Sequence, residues 1–125
     1  MNMLRYLAQL FLSGVFIVGG ADAFRKPGGR VQKAAAIGLP EPELAVKANG
    51  AAMVVGGAAL ALDVLPRTAA ALLAFCLIPT TLAGHAFWKE TSDAGRANHR
   101  TQFLKNAAML GGLLFVATSD RKRGK

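Results

Sequence analysis

The chain is 125 residues long, 53% of them hydrophobic and 18% charged, and its net charge is +8 at pH 7. A soluble domain of this size buries only about 60–65% of its surface, so it needs charges spread along the chain. Here most charges fall in three clusters, at 25–33, 89–100 and 121–125. This layout is typical of membrane spans and loops, not of a soluble domain. It disfavours nucleic-acid binding, which needs a basic stripe on a folded face, and favours contact with lipid headgroups.

Four apolar segments are each long enough to cross a hydrocarbon core of about 30 Å. They cover about 4–21, 44–62, 68–87 and 101–119, and a basic tail follows at 120–125. The sequence therefore predicts an all-α integral membrane four-helix bundle in up-down-up-down order, forming a single membrane domain over 1–125. The rival interpretation of the first segment is a signal peptide cleaved after Ala23. Three further spans, in place of a soluble domain, favour the membrane helix.

Prolines and glycines mark the connections between these spans. Segment 25–43 is basic and rich in both residue types, so we expect a loop with a short interfacial helix over 31–37. Segment 89–100 is expected to be a polar loop. Pro79 interrupts the third span and predicts a bend, because proline removes one backbone donor. Thr80 and Thr81 follow it, where their hydroxyls can bond carbonyls that the proline frees.

Unusual polar residues gather at one end of the predicted bundle. Alternating spans bring the ends of the first and third and the starts of the second and fourth to one membrane face. Polar side chains at membrane depth are costly and turn toward the bundle interior or a wet cavity. The sequence predicts a polar vestibule, a site for a ligand or partner, formed by Asp22, Asn49, His85, Trp88, Gln102, Lys105 and Asn106.

Within this vestibule we expect Asp22, Asn49, His85 and Asn106 to form one connected polar network. Thr81, His85 and Trp88 have the i, i+4, i+7 spacing of one helical stripe. Two alternatives stay open. His85 and Trp88 also fit an interfacial belt, and Lys47 and Lys105 also fit side chains that snorkel to the headgroups.

Small residues recur at four-residue spacing in the second and fourth spans, which lets helix backbones approach closely. The predicted packing positions are Gly56, Gly57, Gly111 and Gly112. The two histidines, His85 and His99, lack ligand spacing, so no metal site is expected. Cys76 is the single cysteine, which excludes an internal disulfide, and in an apolar span it is expected to be an inert thiol.

Lysine and arginine favour the cytoplasmic side of a membrane and so bear on orientation. The face with both long loops carries nine, at 25, 26, 30, 33, 47, 89, 96, 100 and 105. The other face carries six, at 5, 67, 121, 122, 123 and 125. The raw count favours cytoplasmic loops. If Lys47 and Lys105 belong to the vestibule, the count becomes seven against six, and the orientation of the termini stays open.

Short segments in all four spans resemble the DoxX family of small four-helix bacterial membrane proteins. They are Phe16-Ile17-Val18-Gly19-Gly20, Gly56-Gly57 leading to Pro66-Arg67-Thr68-Ala69-Ala70-Ala71-Leu72, Gly84-His85-Ala86-Phe87-Trp88, and Phe103-Leu104-Lys105-Asn106 followed by Gly111-Gly112-Leu113-Leu114. Many members carry a lysine where this chain has Ala23 and a glutamate where it has Met53. The Asp22 and Asn49 arrangement resembles an actinobacterial-type branch.

The resemblance implies a multi-pass protein of the bacterial inner membrane. It further implies a small subunit or anchor of a membrane redox complex, quinone- or thiol-linked, with a quinone as the possible cofactor. The first alternative is a non-enzymatic assembly protein, which contacts other membrane proteins or forms a homo-oligomer, and a small-solute transporter is the weaker one. The sequence shows no nucleophile–base pair and no Gly-rich phosphate loop, so it does not predict a free-standing enzyme.

Overall fold

The computed structural model of the protein describes residues 2–84 and 87–119. These residues form α1 (Met3–Arg25), α2 (Gly29–Ala36), α3 (Pro42–Ala61), α4 (Pro66–Gly84) and α5 (Asp93–Thr118), with a 3-10 turn at Phe87–Lys89 between the last two. No strand occurs within this part of the chain. The all-α prediction is therefore confirmed.

Three of the described helices are long and apolar enough to cross a membrane: α1, α3 and the helical region that begins at Pro66. Helix α5 is long enough, but polar side chains such as Gln102, Lys105 and Asn106 dilute its apolar run. The fourth crossing, and with it the four-helix bundle in up-down-up-down order, stays a prediction.

Helices α1 and α3 lie antiparallel at very short range, because glycines meet where they cross. A Cβ added at Gly20 would lie 2.6 Å from the Gly50 carbonyl oxygen, and one added at Gly50 would lie 2.6 Å from the Gly20 oxygen. Further along, a Cβ at Gly57 would lie 2.8 Å from Cγ1 of Ile17. Contacts between backbones this close admit only residues without a side chain.

Helix α4 lies between α3 and α5 and supplies much of the apolar core. Its Leu73 is fully buried and fills the space left by Gly56, where an added Cβ would lie 3.1 Å from a Leu73 methyl group. Phe16, Leu60 and Leu113 bring α1, α3 and α5 into the same core. Helix α5 packs mainly on α4 and touches α1 only slightly.

Helix α2 connects α1 to α3 and packs on the loop end of α3 and α4. It confirms the short helix expected over 31–37, and it begins two residues earlier and ends one residue earlier than expected. Gly28 and Gly38 flank it with φ values of 46° and 86°, a region that glycine enters without strain. Its Ala34 is buried, while its charged residues are exposed.

One predicted boundary on the loop side was wrong. The polar loop 89–100 is mostly helical, because α5 begins at Asp93 with Ser92 as its N-cap, whose hydroxyl accepts from the Gly95 N–H at 3.0 Å. The described part of α4 ends at Gly84, and the predicted end at residue 87 depends on residues 85 and 86, which lie outside the described residues. Pro79 lies inside α4, and a bend at this residue stays a prediction.

Candidate functional site

Two asparagine–threonine pairs hold α4 between its neighbours, immediately after Pro79. On one side Asn49 of α3 donates from Nδ2 to Thr80 Oγ1 at 2.9 Å. On the other side Asn106 of α5 donates from Nδ2 to Thr81 Oγ1 at 3.0 Å. The second pair is the more deeply buried, with Thr81 9% and Asn106 6% exposed. Consecutive threonines lie about 100° apart around a helix, so each reaches a different neighbour.

Both threonine hydroxyls also donate to carbonyls within α4. Thr80 bonds the Cys76 carbonyl at 3.0 Å, and Thr81 bonds the Leu77 carbonyl at 2.8 Å. The carbonyl that Pro79 frees directly is that of Phe75, four residues before it. The hydroxyls therefore bond the next two carbonyls. Each pair forms a short chain, from amide to hydroxyl to backbone, which satisfies polar groups inside an apolar bundle.

A groove opens between α4 and α5 beside the buried pair. Its volume is about 140 Å³. It is lined by Leu77, Ile78, Thr81 and Leu82 of α4 and by Phe103, Asn106, Ala107 and Leu110 of α5. Six of these eight side chains are apolar, so Thr81 and Asn106 supply the polar groups of its wall. A mainly apolar cleft with a few convergent polar groups is the usual form of a small-molecule site.

Three aromatic rings stand at the loop end of this groove. Trp88 contacts Phe103 edge-on with centroids 5.6 Å apart, and Phe87 contacts both rings at 5.2 and 5.5 Å. These are favourable aromatic geometries, and Phe103 also lines the groove. Trp88 is half exposed. A ligand in the groove would contact Phe103, which in turn contacts Trp88, the single tryptophan of the chain.

Comparison with known proteins agrees with this helical membrane architecture. The sequence model of the DoxX family matches residues 4–86. This chain belongs to the DoxX family. It is also similar to the inner membrane protein YphA of Escherichia coli (strain K12), at 30% identity over 129 residues that cover 94% of this chain and 91% of YphA. No solved structure matches it. The resemblance seen in the sequence is confirmed, and the chain is a multi-pass protein of the bacterial inner membrane.

The DoxX match spans α1 to α4 and stops before α5. The groove therefore combines one wall inside the matched segment with one wall beyond it. The YphA alignment extends further and takes in most of the chain.

The structure brings only some of the predicted vestibule residues of this DoxX protein together. Asn106 and Asn49 turn inward, but onto opposite flanks of α4. Trp88 lies in the 3-10 turn, outside the helical stripe predicted for it. Gln102 is half-buried and Lys105 exposed, while Lys47 pairs with Glu43 of its own helix at 3.4 Å. His85 lies outside the described residues, as does the tail 120–125.

Asp22 does not join the two asparagine–threonine pairs, and the expected network of four residues stays a prediction because His85 lies outside the described residues. Asp22 is exposed on α1, because Gly20 and Ala23 occupy the face that packs on α3. A residue between these two positions points away from the contact face. Each asparagine is bonded instead to a threonine of α4.

The predicted packing glycines fall into two groups. Gly56 and Gly57 of α3 lie at close contacts, as described above. Gly112 lies at an ordinary distance, where an added Cβ would be 3.8 Å from Leu12. Gly111 faces open space, with nothing within 4 Å of an added Cβ. The closest contact involves Gly20 and Gly50, which were not singled out from the sequence.

Sequence reasoning also missed a buried polar cluster at the opposite end. Gln9 is 2% exposed and donates from Nε2 to the Leu60 carbonyl at 3.0 Å and to Asp63 Oδ1 at 3.1 Å. Ser13, one turn later, is also buried and bonds the Leu10 carbonyl. The signal was present, because Gln9, Ser13, Phe16 and Gly20 have the spacing of one helix face. Gln9 thus satisfies carbonyl and carboxylate groups where α3 ends.

No group of three or more His, Cys, Asp or Glu side chains that could hold a metal occurs within residues 2–84 and 87–119. Cys76 is buried in α4 as a free thiol. His99 lies on α5, not in a loop as expected, and its Nε2 is 3.7 Å from Glu90 Oε2. This contact ties the first turns of α5 to the segment before it.

Proposed function

We propose that this DoxX protein is a small quinone-binding subunit, or anchor, of a membrane redox assembly, and that the ring lies in the groove between α4 and α5. The supporting observation is the composition of that groove. Its walls are apolar except for the Thr81–Asn106 pair. A lipid-soluble ring with carbonyl oxygens is complementary to such a wall, because it has an apolar body with hydrogen-bond acceptors at its edge. Electron transfer itself is assigned to the partner proteins of the assembly.

The size of the groove fits a single six-membered ring. An apolar cavity of about 150 Å³ accommodates benzene, and the groove measures about 140 Å³. It is open on one side, so an isoprenoid tail has a route out of it. Drug-sized ligands fill larger pockets, of roughly 300–1,000 Å³. A bare quinone ring is therefore a better match than a fused cofactor such as a flavin.

The hydrogen bonds of the groove provide a donor for a ring carbonyl. The Asn106 amide has two N–H donors, and one is directed to Thr81 Oγ1. The Thr81 hydroxyl donates in turn to the Leu77 carbonyl. This chain fixes the Asn106 amide, and the proposal assigns its second N–H as the donor to the ring carbonyl. A preorganised donor of this kind gives an orientation as well as affinity.

The test is a titration of the purified protein in mild detergent with a short-chain benzoquinone, followed by quenching of Trp88 fluorescence. Trp88 is the only tryptophan and contacts Phe103 on the groove wall. We expect saturable quenching in the wild type and about tenfold weaker binding in Asn106→Leu, which corresponds to one hydrogen bond of about 1.4 kcal/mol. Quinone retained during purification, detected by mass spectrometry, is the second readout.

Asn49→Leu is the matched control, because it removes the same kind of amide–threonine bond from the other flank of α4. Neither Asn49 nor Thr80 lines the groove, so this variant should bind the quinone like the wild type. Quenching that does not saturate, or equal loss in the two variants, would contradict the proposal.

We further propose that α1, α3, α4 and the apolar half of α5 cross the membrane in alternating directions, forming one membrane domain with both termini on one face. Antiparallel contacts support this: Gln9 with Leu60, Asn49 with Thr80, and Arg67 with the Ala117 carbonyl at 3.0 Å. Reporter fusions after residue 38, 63, 91 and 125 should report alternating sides, the first and third on one side. A fusion at 125 on the side of residue 91 would overturn it.

The alternative of an assembly protein has one observation in its favour. The outer face of α5 exposes Leu104, Ala108, Gly111 and Phe115, and no described atom lies within 4 Å of a Cβ added at Gly111. A small residue between larger ones admits a second helix, from a partner or from another copy. Co-purification of a protein without quinone would favour this role, and loss of that partner in Gly111→Leu would assign the face.

A further inference from the structure

A compact group of cations lies where α1 ends and α2 begins. Arg25, Lys26, Arg30 and Lys33 fall within nine residues, and the sequence from 23 to 40 contains no aspartate or glutamate. All four are exposed. The nearest acidic residue before them, Asp22, lies on the neighbouring turn of α1. The local charge is therefore strongly positive at the loop end of the bundle.

Helix α2 packs on the bundle with one face and exposes its charged residues on the other. Ala34 is 4% exposed and Val31 is half-buried, on the side that packs on α3 and α4. Ile37 and Leu39, immediately after the helix, are partly exposed beside the charges. Charged and apolar side chains exposed side by side are typical of a segment in the membrane interface, where chains meet headgroups.

We propose that the end of α1 and helix α2 form a binding surface for the phosphate groups of anionic phospholipids. We name it the α2 surface; it consists of Arg25, Lys26, Arg30 and Lys33. The choice of partner follows from position and charge together. The cations lie at the end of a membrane span, at headgroup level, and guanidinium groups bind phosphate in a bidentate manner. Ile37 and Leu39 reach the acyl chains below the headgroups.

The backbone fixes where the surface points. Gly28 and Gly38 adopt positive φ on either side of α2, which lets the chain leave α1 and rejoin α3 sharply. Arg30 also donates from Nη1 to the Lys26 carbonyl at 3.2 Å, which ties the first turn of α2 to the end of α1. The four cations are thus held by two helices and two turns.

The test uses the full-length chain in nanodiscs and counts bound phosphatidylglycerol against phosphatidylcholine by native mass spectrometry. The triple variant Arg25→Gln, Lys26→Gln, Arg30→Gln removes three charges from the α2 surface. This variant loses the charge-assisted hydrogen bonds that the α2 surface would make to a bound phosphate, so we expect the preference for phosphatidylglycerol to fall at least about tenfold. Arg25→Lys with Arg30→Lys keeps the charge but loses the bidentate guanidinium donors, so its preference should lie between those of the wild type and the triple variant.

The matched control is Lys89→Gln, Arg96→Gln, Arg100→Gln, which removes three exposed charges from the other connection at the loop end. Unchanged lipid preference in this control, with loss in the α2 variant, supports the proposal. Equal loss in both would show that net charge alone attracts the lipid, and this overturns it. Displacement of the lipid by excess inorganic phosphate would show a site for free phosphate instead. Retained helicity by circular dichroism excludes unfolding of either variant.

Discussion

Two adjacent glycines of α1 give a sharp test of the close contact between α1 and α3. Gly20 faces α3, where an added Cβ would lie 2.6 Å from the Gly50 carbonyl oxygen and 2.9 Å from the Cβ of Met53. Gly19 faces away, with nothing within 4 Å of an added Cβ. Gly20→Ala and Gly19→Ala therefore add the same methyl group to the same helix in opposite environments.

The expected difference between the two variants follows from these distances. Non-bonded carbon atoms prefer separations of about 3.5–4.0 Å, so the methyl at residue 20 intrudes by about 1 Å on the backbone of α3. A backbone carbonyl cannot move aside as a flexible side chain can. Overpacking of this kind costs about 1–3 kcal/mol. The gain in helix propensity, about 0.5–1 kcal/mol, is common to both variants and cancels in their difference.

The measurement is the free energy of unfolding of each variant in detergent micelles, from denaturant titration followed by circular dichroism. We expect Gly19→Ala to equal or slightly exceed the wild type and Gly20→Ala to lie about 1–3 kcal/mol below Gly19→Ala. The reasoning is refuted if the two variants have equal stability, because the contact with Gly50 would then be too loose to exclude a methyl group.

Two further sets of variants test the buried hydrogen bonds. Gln9→Leu should lower the free energy of unfolding by about 1–3 kcal/mol, because the Asp63 carboxylate loses a donor. The control Gln32→Leu, on the exposed side of α2, should change it by less than about 0.5 kcal/mol. Similar effects of the two variants would contradict the role of Gln9. Two double-mutant cycles measure the coupling within the asparagine–threonine pairs, one with Asn106→Ala and Thr81→Val and the other with Asn49→Ala and Thr80→Val. We expect coupling energies of about 0.6–1.7 kcal/mol, with the larger value for the buried first pair. No coupling in either cycle would show that the hydrogen bonds do not hold α4.

The helices of the membrane region follow from the sequence because lipid leaves few alternatives. A backbone inside hydrocarbon must satisfy its own hydrogen bonds, so an apolar run of about 20 residues forms a helix there. The predicted spans 4–21, 44–62 and 68–87 each correspond to a helix within a few residues. Pro66 begins α4, at the position where its missing N–H costs nothing.

The helix boundaries outside the apolar runs could not be predicted in this way. Hydropathy distinguishes segments that lie in lipid from segments that lie in water, but it does not indicate whether a polar segment is helical. Residues 93–100 are polar yet helical, and their signal was local: Ser92 is a good N-cap, and Asp93 suits the positive end of a helix. Reading the capping pattern in addition to the hydropathy would have placed the start of α5 correctly.

The candidate site was likewise only partly predictable from the sequence. Asn49 and Asn106 stood out because a lone amide in lipid needs a partner, and the structure supplies Thr80 and Thr81 from one helix. The groove itself did not stand out, because a cavity arises where side chains of two helices fail to fill the space between them. Such a gap depends on rotamers and on the distance between α4 and α5, and neither is encoded in a single residue type.

The same reasoning explains why Gly20 and Gly50 were missed while Gly56 and Gly57 were found. Spacing within one helix identifies a small face, but a close approach needs small residues from both helices at the same height. Gly20 meets Gly50, and Gly57 meets the turn of α1 that contains Ser13 and Ile17. Gly111 has the right spacing, but no atom of the described residues lies within 4 Å of a Cβ added there. Its open face is the position where contact with another helix would be formed, which is why substitution there separates an assembly role from a ligand-binding role.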